Sequence, residues 1–149
     1  MVPVSFPDPP GANLGPYQLA SYTINNTTGS ISSTNTWEDM PTLDIQSYIN
    51  TMSMAPSGKV VALTGHPGLQ FFHFNGAAPI TKHSALLLPA VDIDELAWDN
   101  NDHLYELSYS AEKLYVYTVT PTSISEVAGS PYSVKNAYGI KGLIARPKL

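Results

Sequence analysis

The chain has 149 residues, 43% of them hydrophobic, and no cysteine. That is enough material for one sizeable core, and it excludes disulfides, thiolate metal sites and a cysteine nucleophile. A net charge of −5 supplies no basic surface for a phosphate backbone, so nucleic acid is not an expected partner; the low charged fraction, set against many Pro, Gly, Tyr, Ser and Thr residues, predicts an all-β fold of short strands and tight turns.

In chain order, residues 2–6 alternate weakly and read as a strand, and 7–16, rich in Pro and Gly, as a loop. Residues 17–24 predict one strand, Asn25-Asn26-Thr27-Thr28-Gly29 a hairpin turn, and 30–37 the returning strand. The Asn-x-Thr sequons in this turn read as turn chemistry. A second unit follows: strand 48–54, turn 55–59, buried strand 60–64, the tight connection Gly65-His66-Pro67-Gly68, and strands 69–74 and 80–88. The third repeats that order with 93–98, the turn Asp99-Asn100-Asn101-Asp102, 104–108, 114–119 and 124–128. Residues 140–145 predict one more inner strand. No run approaches the roughly 20 apolar residues of a membrane span, and the start of the chain lacks the basic and apolar regions of an export signal. The expectation is a soluble protein, cytoplasmic as expressed, with no membrane partner.

The large apolar residues of Leu114-Tyr115-Val116-Tyr117-Thr118-Val119 fall in the places of those in Leu69-Gln70-Phe71-Phe72-His73-Phe74 and Leu19-Ala20-Ser21-Tyr22-Thr23-Ile24. The steps from Leu19 to Leu69 to Leu114 are 50 and 45 residues, the period of a four-stranded β-propeller blade. Inner strands align Met52 with Leu96 and with Leu143. Counting gives blades at 41–89 and 90–132 and a third split between 1–40 and 139–149, hence a single half-propeller domain. Three blades do not close a ring, for which roughly four to eight are usual. Two chains are therefore expected to close a six-bladed ring as a homodimer, each C-terminal strand completing the partner's first blade; a different cyclic number or an aggregate is the alternative.

With Gly-Ser-Pro-Tyr at 129–132, the hairpin Met54-Ala55-Pro56-Ser57-Gly58-Lys59-Val60-Val61 and the strand 114–119, the chain resembles the lactonase-type (YVTN-repeat, 6-phosphogluconolactonase-like) β-propellers of bacteria. Blades of that family carry a Pro-x-Gly inner hairpin, a Val-x-Val-Tyr-x-Val strand and a Gly-Ser-Pro-Tyr or Phe exit. The resemblance covers most of the chain from Tyr17 onward. It departs where the exit motif occurs once, with 37–41 and 86–89 degenerate, and full-length members are more than twice as long, so the chain looks like a C-terminal portion. The resemblance implies enzymes that open or form lactones, related propellers that hydrolyse lactones and phosphotriesters with a channel metal, and members with binding roles. No catalytic motif of the family is matched, and no catalytic residue is carried over.

In a propeller the loops at one end of the inner strands gather round the channel. That geometry selects Asp8, Asn13, Asp44, Tyr48, Asn50, His66, Glu112, Lys113, Tyr138 and Lys141 together with the acidic run Asp92-Ile93-Asp94-Glu95. Carboxylates packed at a strand start raise one another's pKa or bind a hard cation, so Asp92, Asp94 and Glu95 are the candidate ligands of a divalent cation, Ca²⁺ or Zn²⁺. His66, held on a rigid turn, is a candidate general base. The expected catalytic set is His66, Asp94 and Glu95, with Tyr48, Asn50 and Lys141 contacting substrate; solvated surface carboxylates and a surface turn histidine are the competing reading. His73, His83 and His103 read as structural. Asp99-Asn100-Asn101-Asp102 lacks the glycine and glutamate of a calcium loop, and Ser130 belongs to a repeat corner and not to a nucleophile elbow. The expected function is hydrolysis of a small lactone or activated ester, phosphotriesters included, in a channel shared by two chains. The alternative is a non-catalytic binding or interaction scaffold.

Overall fold

The structure, a computed structural model, describes residues 2–4, 17–33, 41–45, 47–74, 80–140 and 142–145. It is all-β, built of antiparallel sheets. Near the N-terminus β1 (Val2–Val4) pairs with β2 (Gln18–Ala20), and β3 (Tyr22–Ile24) pairs with β4 (Ile31–Ser33). The single strand expected over 17–24 is therefore two, broken at Ser21 and divided between two sheets. The reason lies in the partners. Leu19, Ala20 and Ser21 are all buried, because β2 is flanked by β1 and by residues 41–43, where the Leu43 amide donates to the Tyr17 carbonyl at 2.8 Å. Past Ser21 the chain leaves this core, and Tyr22 and Ile24 are exposed. Asn25 holds the turn to β4 by accepting the amides of Thr27 and Thr28 at its Oδ1.

The second unit is a four-stranded sheet in the order β5 (Tyr48–Met54), β6 (Val60–His66), β7 (Leu69–His73), β8 (Thr81–Lys82). Central strand β6 is buried on both faces from Val60 to Gly65, which is what its near-continuous apolar run requires. The long outer strand expected over 80–88 shortens to β8. The amides of His83 and Ser84 both turn to the Phe71 carbonyl, and the Ser84 hydroxyl accepts the Phe71 amide at 3.1 Å, so a side chain replaces one ladder bond. The backbone rejoins β7 at a bridge between Leu87 and Leu69.

The third unit holds β9 (Glu95–Trp98), β10 (His103–Ser108), β11 (Lys113–Val119) and β12 (Ile124–Glu126), with β13 (Tyr132–Ser133) also on β11. Between β12 and β13 the Ser130 hydroxyl accepts the Val116 amide and donates to Glu126, which fixes the corner between these strands. One 3₁₀ turn, Ala137–Gly139, follows. The described residues of 140–145 join no strand of this chain, and Ile144 is 88% exposed. Among the described residues, the strand expected over 140–145 is not formed within one chain.

Strand alternation and register place Ala62, Leu69 and Phe71 on the face of the second unit that meets Leu104, Tyr115 and Tyr117 of the third. Phe71 lies edge-on to both Trp98 and Tyr117, with centroids 6.4 Å apart. The opposite face, with Leu63 and Phe72, packs on Leu19, Leu43, Ile45 and Ile80. Each fully buried Leu or Phe contributes about 1.5–3 kcal/mol relative to exposure. One residue breaks the apolar pattern. Glu106 occupies the place that Leu63 has in the second unit, and it is 0% exposed. Neither of its carboxyl oxygens has a hydrogen-bond partner among the described residues, and burial pushes its pKa well above the ordinary value. Among the described residues no helix is long and apolar enough to cross a membrane.

Candidate functional site

Strands β5 and β9 lie side by side, and two local features set what their starts present. The β5–β6 ladder shifts register between Ile49 and Thr51, and the extra residue, Asn50, turns out of the ladder and donates its Nδ2 to the Ile93 carbonyl at 2.7 Å. Gly65 pairs with Ile49, the residue before Asn50. A Cβ there would strike the Tyr48 carbonyl and come within 2.8 Å of Ile45 Cγ2, so only glycine lets β5 and β6 close at this end.

That closure brings Tyr48 and His66, register partners at the end of the ladder, into a stack with centroids 5.1 Å apart and planes within 8°. His66 Nδ1 is buried against the Asp92 carboxylate, while the side chain as a whole is 42% exposed. Asp92 faces Nδ1 as an ion-pair partner, without the geometry of a hydrogen bond, and Nε2 is the ring nitrogen left for solvent or substrate. Three residues selected from sequence, Tyr48, His66 and Asp92, thus meet across 44 residues of chain.

Asp94 and Glu95 are drawn elsewhere. Asp94 Oδ2 accepts the Tyr109 amide at 2.7 Å, and Glu95 Oε1 accepts the Tyr109 hydroxyl at 2.9 Å. Burial first, and then the Glu95 hydrogen bond and charge, push the Tyr109 pKa up to about 12, so the phenol stays protonated at neutral pH. Tyr138 lies beside it at 6.4 Å. The carboxylates expected to share a cation are therefore directed to different partners, Asp92 to His66 and the other two to Tyr109. Among the described residues no group of three or more His, Asp or Glu side chains is placed to hold a metal.

Asp44 accepts from Gln70 Nε2 and Lys82 Nζ, which uses it as a clamp between the N-terminal segment and the second unit. Glu112 accepts the Asn136 amide at 3.1 Å, and Lys113 donates to Ser133 at 2.9 Å, away from His66. Lys141, Asp8 and Asn13 lie outside the described residues. Sequence reasoning missed Tyr109. It stands three residues after Glu106, as His66 stands three after Leu63, and these two are matched because Leu63 pairs with Met52 and Glu106 with Leu96. The repeat alignment was the signal that could have found it. No family model matches the chain, and no curated protein or solved structure matches it.

Proposed function

We propose that the stacked sheets are blades of a β-propeller, that two chains close its ring, and that the Tyr48–His66–Asp92 group hydrolyses a small lactone or activated ester. The observation that carries the reading is the Asp92 carboxylate against the buried Nδ1 of His66. The propeller reading is supported by the 45- to 50-residue repeat, by a four-stranded and a five-stranded sheet stacked face to face, and by neighbouring inner strands.

In this scheme water adds to the acyl carbon while His66 Nε2 takes its proton, and Asp92 stabilises the resulting imidazolium. The tetrahedral intermediate collapses with cleavage of the ring C–O bond, and the departing alkoxide receives the proton back from Nε2. Tyr48 offers a flat wall for the substrate. Asp94 and Glu95 act through Tyr109, whose ring they hold at the neighbouring strand end. No step runs through Ca²⁺ or Zn²⁺, because the carboxylates expected to bind it do not converge.

His66→Ala is expected to lower turnover of a lactone, aryl ester and phosphotriester panel by about 10²–10⁴, and Asp92→Asn to lower it with retained substrate affinity. Unchanged rates in both variants, or no turnover by the unaltered chain, overturn the hydrolase reading. The binding-scaffold reading has one observation of its own. A cleft of about 340 Å³ between the outer strands is floored by Leu87, Tyr117 and Ile124, a surface that suits an apolar ligand without chemistry.

A further inference from the structure

We infer that His73 and His83 form a binding site for a divalent late-transition-metal ion, of the Cu²⁺, Ni²⁺ or Zn²⁺ class, on the outer strands of the second unit. His73 pairs with Thr81 across β7 and β8, and His83 follows two residues later, just past the end of β8, with its ring beside that of His73. The two imidazole centroids stand 4.1 Å apart with a 36° tilt. An ion bonded to two ring nitrogens at about 2 Å each holds them about 3 Å apart, a spacing that two rings at this centroid separation can span.

The tautomer of His83 is set by its surroundings. Its Nε2 lies 2.9 Å from the Thr120 carbonyl, which can only accept, so the proton sits on Nε2 and the lone pair on Nδ1. Metal-binding histidines are typically held in this way, with the second nitrogen donating to a carbonyl that fixes the ring. Both stems are anchored. The His83 amide donates to the Phe71 carbonyl at 2.9 Å, and next to His73 the Phe74 amide donates to the Lys59 carbonyl at 2.8 Å. Two imidazoles select late-transition ions over Ca²⁺ or Mg²⁺, and Cu²⁺ binds such donors most tightly, which makes it the probe. Thr120 belongs to the third unit, so an ion here is linked to the seam between the two sheets.

The test is a Cu²⁺ titration of the full chain followed by electron paramagnetic resonance. One equivalent is expected to give a spectrum with coupling from two imidazole nitrogens. His73→Gln and His83→Gln are each expected to weaken binding by more than about tenfold, while His66→Gln and His103→Gln leave it unchanged. On the unaltered protein, Cu²⁺ is expected to broaden the amide resonances of 73 and 83 first, a readout that does not depend on any variant folding. Absence of a stoichiometric Cu²⁺ complex, broadening centred elsewhere, or full binding by the His73→Gln/His83→Gln double variant overturns the site.

Discussion

Glu106 turns one position of the core into a proton-binding group. Unfolded, its carboxyl titrates near the ordinary value of 4.5. Folded, burial raises that value, so the native state holds the proton more tightly. Stability from this group is full below pH 4.5 and is lost as pH rises through the folded pKa. The groups that share its face include the phenols of Tyr115, its register partner, and Tyr117, whose own pKa values burial also raises; neither supplies a positive charge. Glu106→Leu, which copies Leu63, is expected to stabilise the protein at pH 8 by about 1–3 kcal/mol, with the gain shrinking toward pH 4.5. Urea unfolding of both proteins across that range checks it, and a pH-independent difference contradicts it. At this scale the sequence selected Tyr48, His66 and Asp92 as candidates but did not show how they pair. Asp92 and His66 belong to no local pattern, and their contact exists because two strand ends lie side by side.

Gly65 controls how the β5–β6 hairpin ends. Gly65→Ala is expected to push Tyr48 off His66 and to cost about 1–3 kcal/mol, the range for overpacking a filled site. Thermal unfolding measures the cost, and loss of the ring-current shifts between Tyr48 and His66 measures the displacement; a variant with both unchanged refutes the steric account. Hairpins were the legible elements, since their turns are local chemistry. Gly58 takes φ +70 in the β5–β6 turn, and Asp99 Oδ1 accepts the amides of Asn101 and His103 in the next. The break at Ser21 and the short β8 were not legible. Each depends on a partner distant in sequence, residues 41–43 in one case and the Phe71–Ser84 exchange in the other.

At the scale of the whole molecule, among the described residues, large apolar side chains are left uncovered on β5, where Tyr48 and Met54 are exposed, and at two further places. Tyr22, Ile24 and Ile31 stand on the β3–β4 hairpin, and Tyr132, Tyr138 and Ile144 lie toward the C-terminus. Such surface marks an interface more often than a free face. A solution mass near twice 16.1 kDa is expected, falling toward the single-chain value in Ile24→Lys/Ile31→Lys; a stable single-chain mass for the unaltered protein refutes the shared ring. The repeat period carried the sheet plan from the sequence because register and burial recur with it. Assembly does not recur within one chain, and the period is silent on it.

The ties between the second and third units are unevenly spread. Asn50 meets Ile93 at one end of the inner strands, and the Ser57 amide meets Asp102 at the other, while toward the outer strands His83 reaches Thr120. The inner edge is thus fastened top and bottom like the spine of a book, and the sheets are its pages. Parting the sheets at the outer margin requires breaking the His83–Thr120 contact, whereas parting them at the spine requires breaking both of the other two.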